Sequence, residues 1–392
     1  MNLHFVLRIL EAVLLIPVVV GSAYAILTSL VIIRFRTRSK TSKRQFPVHW
    51  PPVTILKPVH GLEKNLRENL RSACLQDYPE YQLVISVQRR DDPAIPLIKE
   101  IEKEFGSEKV TIAIEDCSRG TNGKINNLIG GLKHARHEIL VISDSDVLLR
   151  PDYLKTIVAP LADPQVGFVC TLYKAVGARS WYEKIEMLTL NADLMTNIIF
   201  AHVTGTARFC LGATTALRRS TLEEIGGLPA LADYLVEDFE MGRRILALGK
   251  KDAILPYFID TIMDLRSPSH WWGHQVYWDQ NNRAAMPFGF FATLILRSIP
   301  FALLYAALRL GDPVGLAILA GALLVRTGTA AINLRWGLRD REGPRCLYLL
   351  PLRDAAALVS FVLAYTKKTT VWRGAHFTVT RDGRLLAEQG RT

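Results

Sequence analysis

The chain has 392 residues, of which 49% are hydrophobic, and its formal net charge is +11 at pH 7. This length exceeds one typical domain, and the mean hydropathy of +0.16 is high for a purely soluble protein. Much of the basic excess lies beside apolar segments, which favours a membrane surface over nucleic acid, for which the sequence carries no motif. The five cysteines are widely separated and form no CxxC pair, so a disulfide framework or a zinc site is not expected.

The N-terminal segment predicts a membrane anchor. Residues 5–33 are strongly apolar, apart from Arg8 and Glu11, and the run is long enough to cross about 30 Å of hydrocarbon. A cleaved signal peptide is disfavoured, because the run is too long and lacks a small-residue cleavage site. Six basic residues follow: Arg34, Arg36, Arg38, Lys40, Lys43 and Arg44. We therefore expect a transmembrane anchor at 1–34, a basic linker at 35–50, and a cytosolic domain after them.

The next part of the chain alternates between strand and helix patterns. The predicted strands are 53–56, 81–87, 110–114 and 139–143, and the predicted helices between them are 62–75, 96–105 and 125–135. This alternation is typical of a Rossmann-like α/β domain with a mainly parallel sheet.

The pattern is less regular after the fourth strand. Predicted helices lie at 153–161, 222–226 and 237–248, predicted strands at 166–173, 209–217 and 254–258, and a long amphipathic segment at 182–200. The predicted α/β domain spans residues 51–284.

The C-terminal third combines an aromatic, basic stretch at 271–283 with apolar stretches at 288–310, 314–334 and 347–365. Arg297, Arg326, Arg353 and Asp354 interrupt these stretches, so the charges should face partners within a bundle, or a stretch should not be a full span. We expect a membrane region at 285–366 with two or three hydrophobic helices. The basic tail at 367–392 favours the cytosolic side, and hence an even number of C-terminal crossings.

The segment from Glu138 to Asp146 contains the most informative motif. An apolar strand at 139–143 is followed directly by Asp144-Ser-Asp146. Ligands of open α/β sheets bind beyond the carboxyl ends of strands, and two carboxylates there suit Mg²⁺ or Mn²⁺ with phosphate as a further ligand. An Asx turn that ends the strand is the alternative.

Acidic pairs follow several of the predicted strands or begin a helix: Asp91/Asp92, Glu115/Asp116, Asp144/Asp146 and Glu237/Asp238. Transfer of a sugar from a nucleotide diphosphate needs a cation for the leaving diphosphate, a general base for the acceptor hydroxyl, and groups that hold the nucleotide. The ordered set supplies these groups. Glu237 and Asp238 also suit the first turn of a helix for electrostatic reasons alone.

Five segments in this order resemble the ceramide glucosyltransferase group of membrane glycosyltransferases. They are Ile55-Leu-Lys-Pro58, Asp91-Asp-Pro-Ala94, Lys124-Ile-Asn-Asn127, Asp144-Ser-Asp146 and Val236-Glu-Asp238. The resemblance covers about residues 50–290. It implies a GT-A fold, a UDP-sugar donor, a divalent metal (Mn or Mg), inversion at the anomeric carbon, and a lipid acceptor.

The resemblance also implies roles for single residues. Asp92 would contact the uridine, Asp144 and Asp146 would bind the metal and diphosphate, and Asp238 would be the general base. Lys57 and Lys124 would lie near the nucleotide, with solvated surface lysines as the alternative.

The motif that closes the family's catalytic domain, (Gln/Arg)xxArgTrp, departs from the pattern. Here the stretch reads His274-Gln275-Val-Tyr277-Trp278, with Tyr277 in place of arginine, and Arg283 follows at a different spacing. The loss of a guanidinium fork at this acceptor or closing loop predicts a different acceptor.

The whole pattern is more similar to the bacterial branch linked to hopanoid biosynthesis. That likeness implies a multi-pass protein of the bacterial inner membrane that transfers N-acetylglucosamine to bacteriohopanetetrol. The alternatives are glucosylceramide synthesis from UDP-glucose, a processive polysaccharide synthase, and a non-catalytic membrane scaffold.

Overall fold

The computed structural model describes residues 3–41, 49–367, 369–372, 375–380 and 383–387. Six basic residues of the predicted linker and tail lie outside these ranges: Lys43, Arg44, Lys368, Arg373, Arg381 and Arg391. The chain forms two compact units, each built from separate segments. The sheet unit comprises Ser42–Gly177, Gly205–Asp264 and Val371–Thr392, and the apolar unit comprises Met1–Thr41, Ala178–Thr204 and Leu265–Thr370. The predicted domain boundaries stay a prediction.

The described strands are β1 (Val53–Val59), β2 (Tyr81–Val87), β3 (Val110–Ile114), β4 (Ile139–Ser143), β5 (Val147–Leu148), β6 (Val166–Val176), β7 (Thr214–Arg218), β8 (Lys251–Ile262), β9 (Thr369–Trp372), β10 (Ala375–Val379) and β11 (Leu385–Ala387). Eight of them form one sheet in the order β3-β2-β1-β4-β7-β6-β8-β5. Strands β1 to β4 are parallel, as are β6 and β8, whereas β7 runs antiparallel to β4 and β6. The predicted mainly parallel sheet is confirmed.

The described α-helices are α1 (Leu3–Thr41), α2 (Leu66–Cys74), α3 (Ile95–Phe105), α4 (Gly123–Leu132), α5 (Tyr153–Val158), α6 (Trp181–Leu188), α7 (Met195–Thr204), α8 (Arg219–Glu224), α9 (Glu237–Ala247), α10 (Pro268–Ala285), α11 (Pro287–Ala292), α12 (Ser298–Leu308), α13 (Pro313–Ile332) and α14 (Leu350–Thr366). Short 3₁₀ segments lie at Ala159–Ala162, Leu228–Leu231 and Gly343–Leu349, and π-helical turns lie at Thr189–Leu194 and Asn333–Leu338.

The core of the sheet unit follows the apolar periodicity of the sequence. All positions of β1 and β4 are buried, as expected for strands covered on both faces. In α2, Leu66 and Leu70 are buried at helical spacing, whereas Leu62 is 55% exposed and precedes the helix. The prediction of a helix from residue 62 was therefore wrong by one turn. Its first apolar residue does not reach the core.

Two predicted strands differ from the observed ones. The predicted strand at 209–217 is confirmed only for β7, and residues 205–213 form no strand. The predicted strand at 254–258 extends over all of β8, because it pairs with β6 along most of its length. A second, small sheet with the strand order β11-β10-β9 lies within the predicted basic tail, where no strand was expected.

Among the residues that the structure describes, three helical segments are long and apolar enough to cross a membrane: His4–Thr37, Pro313–Leu338 and Gly343–Thr366. The predicted apolar stretch at 288–310 is instead divided between α11 and α12. Helix α12 has 11 residues, and at about 1.5 Å per residue it is too short for about 30 Å of hydrocarbon. Among the C-terminal stretches, this is the one that lacks the length of a span.

Three charges within the apolar helices, Arg326, Arg353 and Asp354, form an ion-pair cluster with Asp193. Arg326 Nη2 donates to Asp193 Oδ1 at 2.5 Å, and its Nε donates to Asp354 Oδ2 at 3.1 Å. Arg353 pairs with Asp354 at 2.8 Å and also with Asp193. The expectation that charges face partners within a bundle is confirmed for Arg326, Arg353 and Asp354. The guanidinium carbon of Arg297 instead lies 5.7 Å from the ring centroid of Phe361.

Candidate active site

The site begins where β1 and β4 lie side by side. Lys57 on β1 is 0% exposed, and its ammonium donates to the carbonyl oxygen of Asp144 at 2.6 Å and to Ser143 Oγ at 3.2 Å. Burial lowers the pKa of Lys57 to about 8, against the opposing effect of Asp146 and Asp144. Lys57 thus holds the C-terminal end of β4 through these hydrogen bonds. Its predicted place beside the nucleotide stays a prediction.

The loop that carries Asp144 and Asp146 is held by main-chain and amide hydrogen bonds. Asn69 Nδ2 donates to the carbonyl of Ser145 at 3.0 Å, and the amide of Ile262 donates to the carbonyl of Asp146 at 3.1 Å. The amide of Asp144 donates to Ala213 O at 3.0 Å. Because these hydrogen bonds use main-chain groups of the loop, the carboxylates of Asp144 and Asp146 can bind other partners.

Lys124, near the start of α4, joins two acidic elements of the sequence. Its Nζ lies 2.7 Å from Asp144 Oδ1 and 3.2 Å from Glu237 Oε1, and it donates to Gly212 O at 3.4 Å. Burial lowers the pKa of Lys124, but the charges of Asp144 and Glu237 outweigh burial and raise it. Lys124 is therefore a charged, partly buried group rather than a solvated surface lysine.

Asp238 lies at the same place, in the first turn of α9. A Cβ on Gly212 would come within 2.8 Å of Asp238 Oδ2 and 3.8 Å of Lys124 Nζ, so all three residues border one space. The other carboxylate oxygen of Asp238 accepts the amide of Phe239 at 2.8 Å. Burial and the charge of Glu237 raise the pKa of Asp238 to about 7. A carboxylate with this pKa can take up a proton near neutral pH.

Asn122 connects α4 with α9. Its side-chain oxygen accepts the amides of Lys124 and Ile125 and so caps α4, while its Nδ2 donates to Glu237 Oε2 at 3.0 Å. The N-terminal ends of α4 and α9 therefore lie next to each other. This explains how Lys124 and Asp238 share a site although they are far apart in sequence.

The cluster carries an excess of negative charge. The ionisable side chains that shift one another's pKa are five acids and two bases: Glu63, Asp144, Asp146, Glu237, Asp238, Lys57 and Lys124. Burial, Asp144 and Glu63 raise the pKa of Asp146 to about 7, and burial also raises the pKa of Asp144.

This charge excess fits a divalent cation. Within the described ranges, no group of three or more His, Cys, Asp or Glu side chains could hold a metal ion. Mg²⁺ sites, however, commonly use one or two protein carboxylates and complete their coordination with substrate phosphate and water. Asp144 and Asp146 fit such a site.

Asp92 has a different environment. It is 7% exposed, and both of its carboxylate oxygens accept the amide of Gly61, at 3.0 and 2.9 Å. Its Oδ1 also accepts the amide of Ala94 at 2.9 Å. These bonds tie the turn after β1, where Gly61 has a φ of 71°, to the loop after β2. The predicted contact of Asp92 with uridine stays a prediction.

The predicted closing-loop residues lie in the apolar unit, on α10. His274 Nδ1 lies 2.9 Å from Glu186 Oε1, Gln275 Nε2 donates to Glu186 Oε2, and Trp278 Nε1 donates to His274 Nε2 at 2.8 Å. Because His274 Nε2 accepts a hydrogen bond, its Nδ1 carries the proton that is donated to Glu186. His274, Gln275 and Trp278 therefore form one network around the buried carboxylate of Glu186.

The other two closing-loop residues, Tyr277 and Arg283, also lie on α10. Arg283 lies over the ring of Tyr365, with 5.4 Å between the guanidinium carbon and the ring centroid. Tyr277 is half-buried on the same helix. The predicted acceptor role of all five residues stays a prediction.

Sequence reasoning missed Glu63, Asn122 and Glu186 as members of these clusters, and it treated Glu237 as a helix-start residue. Asn122 precedes a helix start, so capping rules could have found its contact with α4. Glu186 and Glu63 carry no such signal, because each acts through contacts with residues distant in the chain.

Comparison with known proteins places these features in a family. The model of glycosyl transferase family 21 matches residues 13–385. Ceramide glucosyltransferase 1 of Caenorhabditis elegans is 27% identical over 208 residues, which are 52% of this chain and 44% of that protein. The ceramide glucosyltransferase of Komagataella phaffii is 34% identical over 122 residues, which are 29% of this chain and 24% of that protein. The matches thus span less than half the length of these relatives.

One solved structure supports the fold. A mannosyltransferase from Pyrobaculum calidifontis, in complex with GDP-Man and Mn²⁺, has a TM-score of 0.51 and 21% identity, and the match covers 90% of this chain and 99% of that one. This likeness confirms the predicted GT-A fold class. Because the family model extends over most of the chain, including the sheet with its acidic loops and the apolar helices at both ends, the protein belongs to glycosyl transferase family 21.

Proposed function

We propose that this protein is a membrane-bound, inverting glycosyltransferase that moves a sugar from a UDP-sugar to a lipid hydroxyl. The donor and acceptor proposed are UDP-N-acetylglucosamine and bacteriohopanetetrol. The observation that carries the proposal is the single cluster of Asp238, Lys124 and Asp144, in which a carboxylate with a pKa of about 7 lies beside a cation and the acids of the β4 loop.

The proposed reaction is one displacement. The acceptor oxygen forms a bond to the anomeric carbon while the bond from that carbon to the diphosphate oxygen breaks. The proton of the acceptor hydroxyl passes to Asp238, and the departing UDP takes the electron pair of the broken bond. Lys124 offsets negative charge beside Asp144, and attack from the side opposite the leaving group inverts the anomeric centre.

Asp144 and Asp146 would hold the divalent cation, as their excess negative charge suggests. When bound, Mn²⁺ or Mg²⁺ neutralises charge on the leaving diphosphate. Lys57 keeps these two aspartates in place by donating to the main chain of Asp144. The mannosyltransferase with the similar fold is in complex with Mn²⁺, which supports the proposal of a divalent cation.

The membrane arrangement proposed is a multi-pass one in a bacterial inner membrane, with the sheet unit in the cytosol. Gly205–Asp264, before the C-terminal candidate spans, and Val371–Thr392, after them, both belong to the sheet unit. The number of membrane crossings between these two segments should therefore be even. The two long candidates, Pro313–Leu338 and Gly343–Thr366, satisfy this requirement.

Glucosylceramide synthesis from UDP-glucose is the second candidate function. It is favoured by the names of the relatives, which are ceramide glucosyltransferases. The departure at Tyr277, where the family motif has arginine, favours the hopanoid acceptor instead. A processive synthase is less favoured, because the C-terminal membrane region is short and the closing motif departs at Tyr277. A non-catalytic scaffold is less favoured, because Asp144, Asp146 and Asp238 are all present.

The test is an assay on purified membranes that contain the full chain. Labelled UDP-N-acetylglucosamine and UDP-glucose are each offered with bacteriohopanetetrol and with ceramide. We expect a labelled hopanoid with a β-glycosidic bond, and an Asp238→Asn variant that is at least about 10²-fold slower. Asp91→Asn is the matched control, because Asp91 is a surface acid paired with Arg89.

The other outcomes separate the alternatives. Labelled ceramide would select the second function, and a polymeric product would select the synthase. UDP binding without product from any pair would indicate a different acceptor or the scaffold, and an α-linked product would contradict inversion.

A further inference from the structure

The last described strand of the chain lies against the segment that leads into the catalytic helix α9. The amide of Leu385 donates to Asp233 O at 2.8 Å, and the amide of Leu235 donates to Gly383 O at 2.9 Å. Tyr234 and Arg384 form an antiparallel bridge between these two bonds. The start of β11 thus adds a short strand to residues 233–235, which end three residues before Asp238.

The opposite side of this segment contacts the start of α4. The amide of Asn122 donates to Ala232 O at 2.7 Å, and its side chain donates to Tyr234 O at 2.9 Å. Thr121 Oγ1 reaches the carbonyl of Leu385 at 3.3 Å, so the C-terminal strand also contacts the residue before the α4 cap. Residues 232–235 therefore lie between the start of α4 and the C-terminal strand.

Side chains strengthen this layer. Leu385 is 2% exposed, whereas its neighbour Leu386 is 55% exposed, so one leucine faces the interior and the next faces solvent. The guanidinium carbons of Arg244 and Arg384 each lie 5.4 Å from the ring centroid of Tyr234. An arginine on α9 and one beside β11 thus share a single aromatic ring.

The start of α9 depends on this layer for its position. Val236, the residue that precedes the helix, makes no side-chain capping bond. The main chain before the helix, which is bonded to Asn122 on one side and to β11 on the other, therefore helps to place Asp238, together with the contacts of Glu237 with Asn122 and Lys124. The layer is also tightly packed, since a Cβ on Gly120 would come within 2.6 Å of Ala232 O.

We propose that the C-terminal strand β11 is a positioning element of the active site, which fixes residues 232–236 and thereby places the Asp238 carboxylate beside Lys124. The proposal rests on the proposed transferase function for its kinetic consequence. Leu385 is the central positioning residue, because its side chain is buried in the layer and its main chain bonds to Asp233 and Thr121.

The test compares three variants of the full chain. Leu385→Asp puts a charge into the buried layer, Leu386→Asp makes the same change at the exposed neighbour, and Leu385→Met keeps an apolar side chain of similar volume. Steady-state kinetics with UDP-N-acetylglucosamine are measured with hydrogen exchange at the amides of Asn122, Leu235 and Phe239. The last of these amides reports on Asp238, to which it donates.

We expect Leu385→Asp to lower kcat at least 10-fold with less than a threefold change in the donor KM, and to speed exchange at the three amides. Leu386→Asp and Leu385→Met should stay within about twofold of the unaltered chain. Exchange in β1 and β4 should not change, because the sheet core does not include this layer.

Three results would overturn the proposal. They are an unchanged kcat in Leu385→Asp, an equal loss in Leu386→Asp, and a loss accompanied by rapid exchange throughout β1 and β4, which would mean general unfolding. An unaltered chain without transferase activity would count against the proposed function instead. In that case, exchange at Leu235 and Phe239 would still decide whether β11 holds the loop.

Discussion

Lys124 Nζ lies 2.7 Å from Asp144 Oδ1, and the lysine and aspartate side chains are 19% and 32% exposed. The same ammonium is 3.2 Å from Glu237, so one cation serves two acids that the sequence places on separate elements. We expect Lys124→Met to destabilise the protein by about 1–3 kcal/mol, because it leaves two partly buried carboxylates without their cation.

The measurement is chemical denaturation in detergent, with Lys133→Met as control. Lys133 pairs with Glu115 at 2.8 Å but is 58% exposed, so its loss should cost less than about 0.5 kcal/mol. Equal effects of the two substitutions would contradict a special role for Lys124.

The rate of transfer should depend on pH near neutrality. Asp238 has a pKa raised to about 7 by burial and by Glu237, and a general base must be deprotonated to act. We therefore expect kcat/KM to fall about tenfold per pH unit below about 7 and to level off above it. A pH–rate profile checks this, and a profile that is flat down to pH 5 would contradict it.

Asp238→Asn should stabilise the protein at alkaline pH while it removes activity. A carboxyl group with a pKa of about 7 in the folded state and about 4 when unfolded binds its proton more tightly in the folded state, so stability declines as pH rises from about 4 to about 7. Asparagine does not titrate, and we expect the variant to gain on the order of 4 kcal/mol relative to the unaltered protein between pH 4 and pH 8, because one pKa unit corresponds to about 1.4 kcal/mol.

Denaturation curves of both proteins at the two pH values measure this gain. Asp91→Asn is the control again, since it lies on the surface. If the difference in unfolding free energy between the variant and the unaltered protein does not change with pH, burial does not raise the pKa of Asp238.

Glu186 should be essential for the packing of α10 against α6. Its side chain is 1% exposed and accepts hydrogen bonds from His274 and Gln275. Glu186→Ala leaves two donors without their acceptor, and we expect a loss of about 2–3 kcal/mol. Thermal unfolding in detergent checks this, with Lys184→Gln on the same helix as control. A loss below 0.5 kcal/mol would contradict the assignment.

The paired charges of the apolar unit predict a rescue between two substitutions. Asp354→Leu leaves Arg326 and Arg353 with Asp193 as their shared acid, and we expect a loss of about 3–5 kcal/mol. Adding Arg326→Met restores charge balance and should recover at least half of this loss. A double-mutant cycle measures the coupling, and purely additive losses would contradict it.

The succession of strands and helices along the first part of the sheet unit, and the acids in its loops, follow from local pattern. Ile139–Ser143 is a short apolar run that ends in aspartates, and helical spacing predicts α2 to within one turn. The same reasoning failed at 209–213, where Gly212 lies in an irregular segment next to Asp238. Hydrophobic periodicity does not distinguish a strand from a buried loop that borders a site.

By itself, the sequence determined the apolar ends, the α/β alternation and the presence of Asp144, Asp146 and Asp238, because periodicity and turn chemistry act over a few residues. Tertiary structure alone decided that Lys124 joins Asp144 to Glu237, that Glu186 holds His274, and that β11 lies beside residues 233–235. The Lys124–Glu237, Glu186–His274 and Asp233–Leu385 contacts connect residues 88 or more positions apart. Such pairings depend on how the elements pack, and no local pattern in the chain records them.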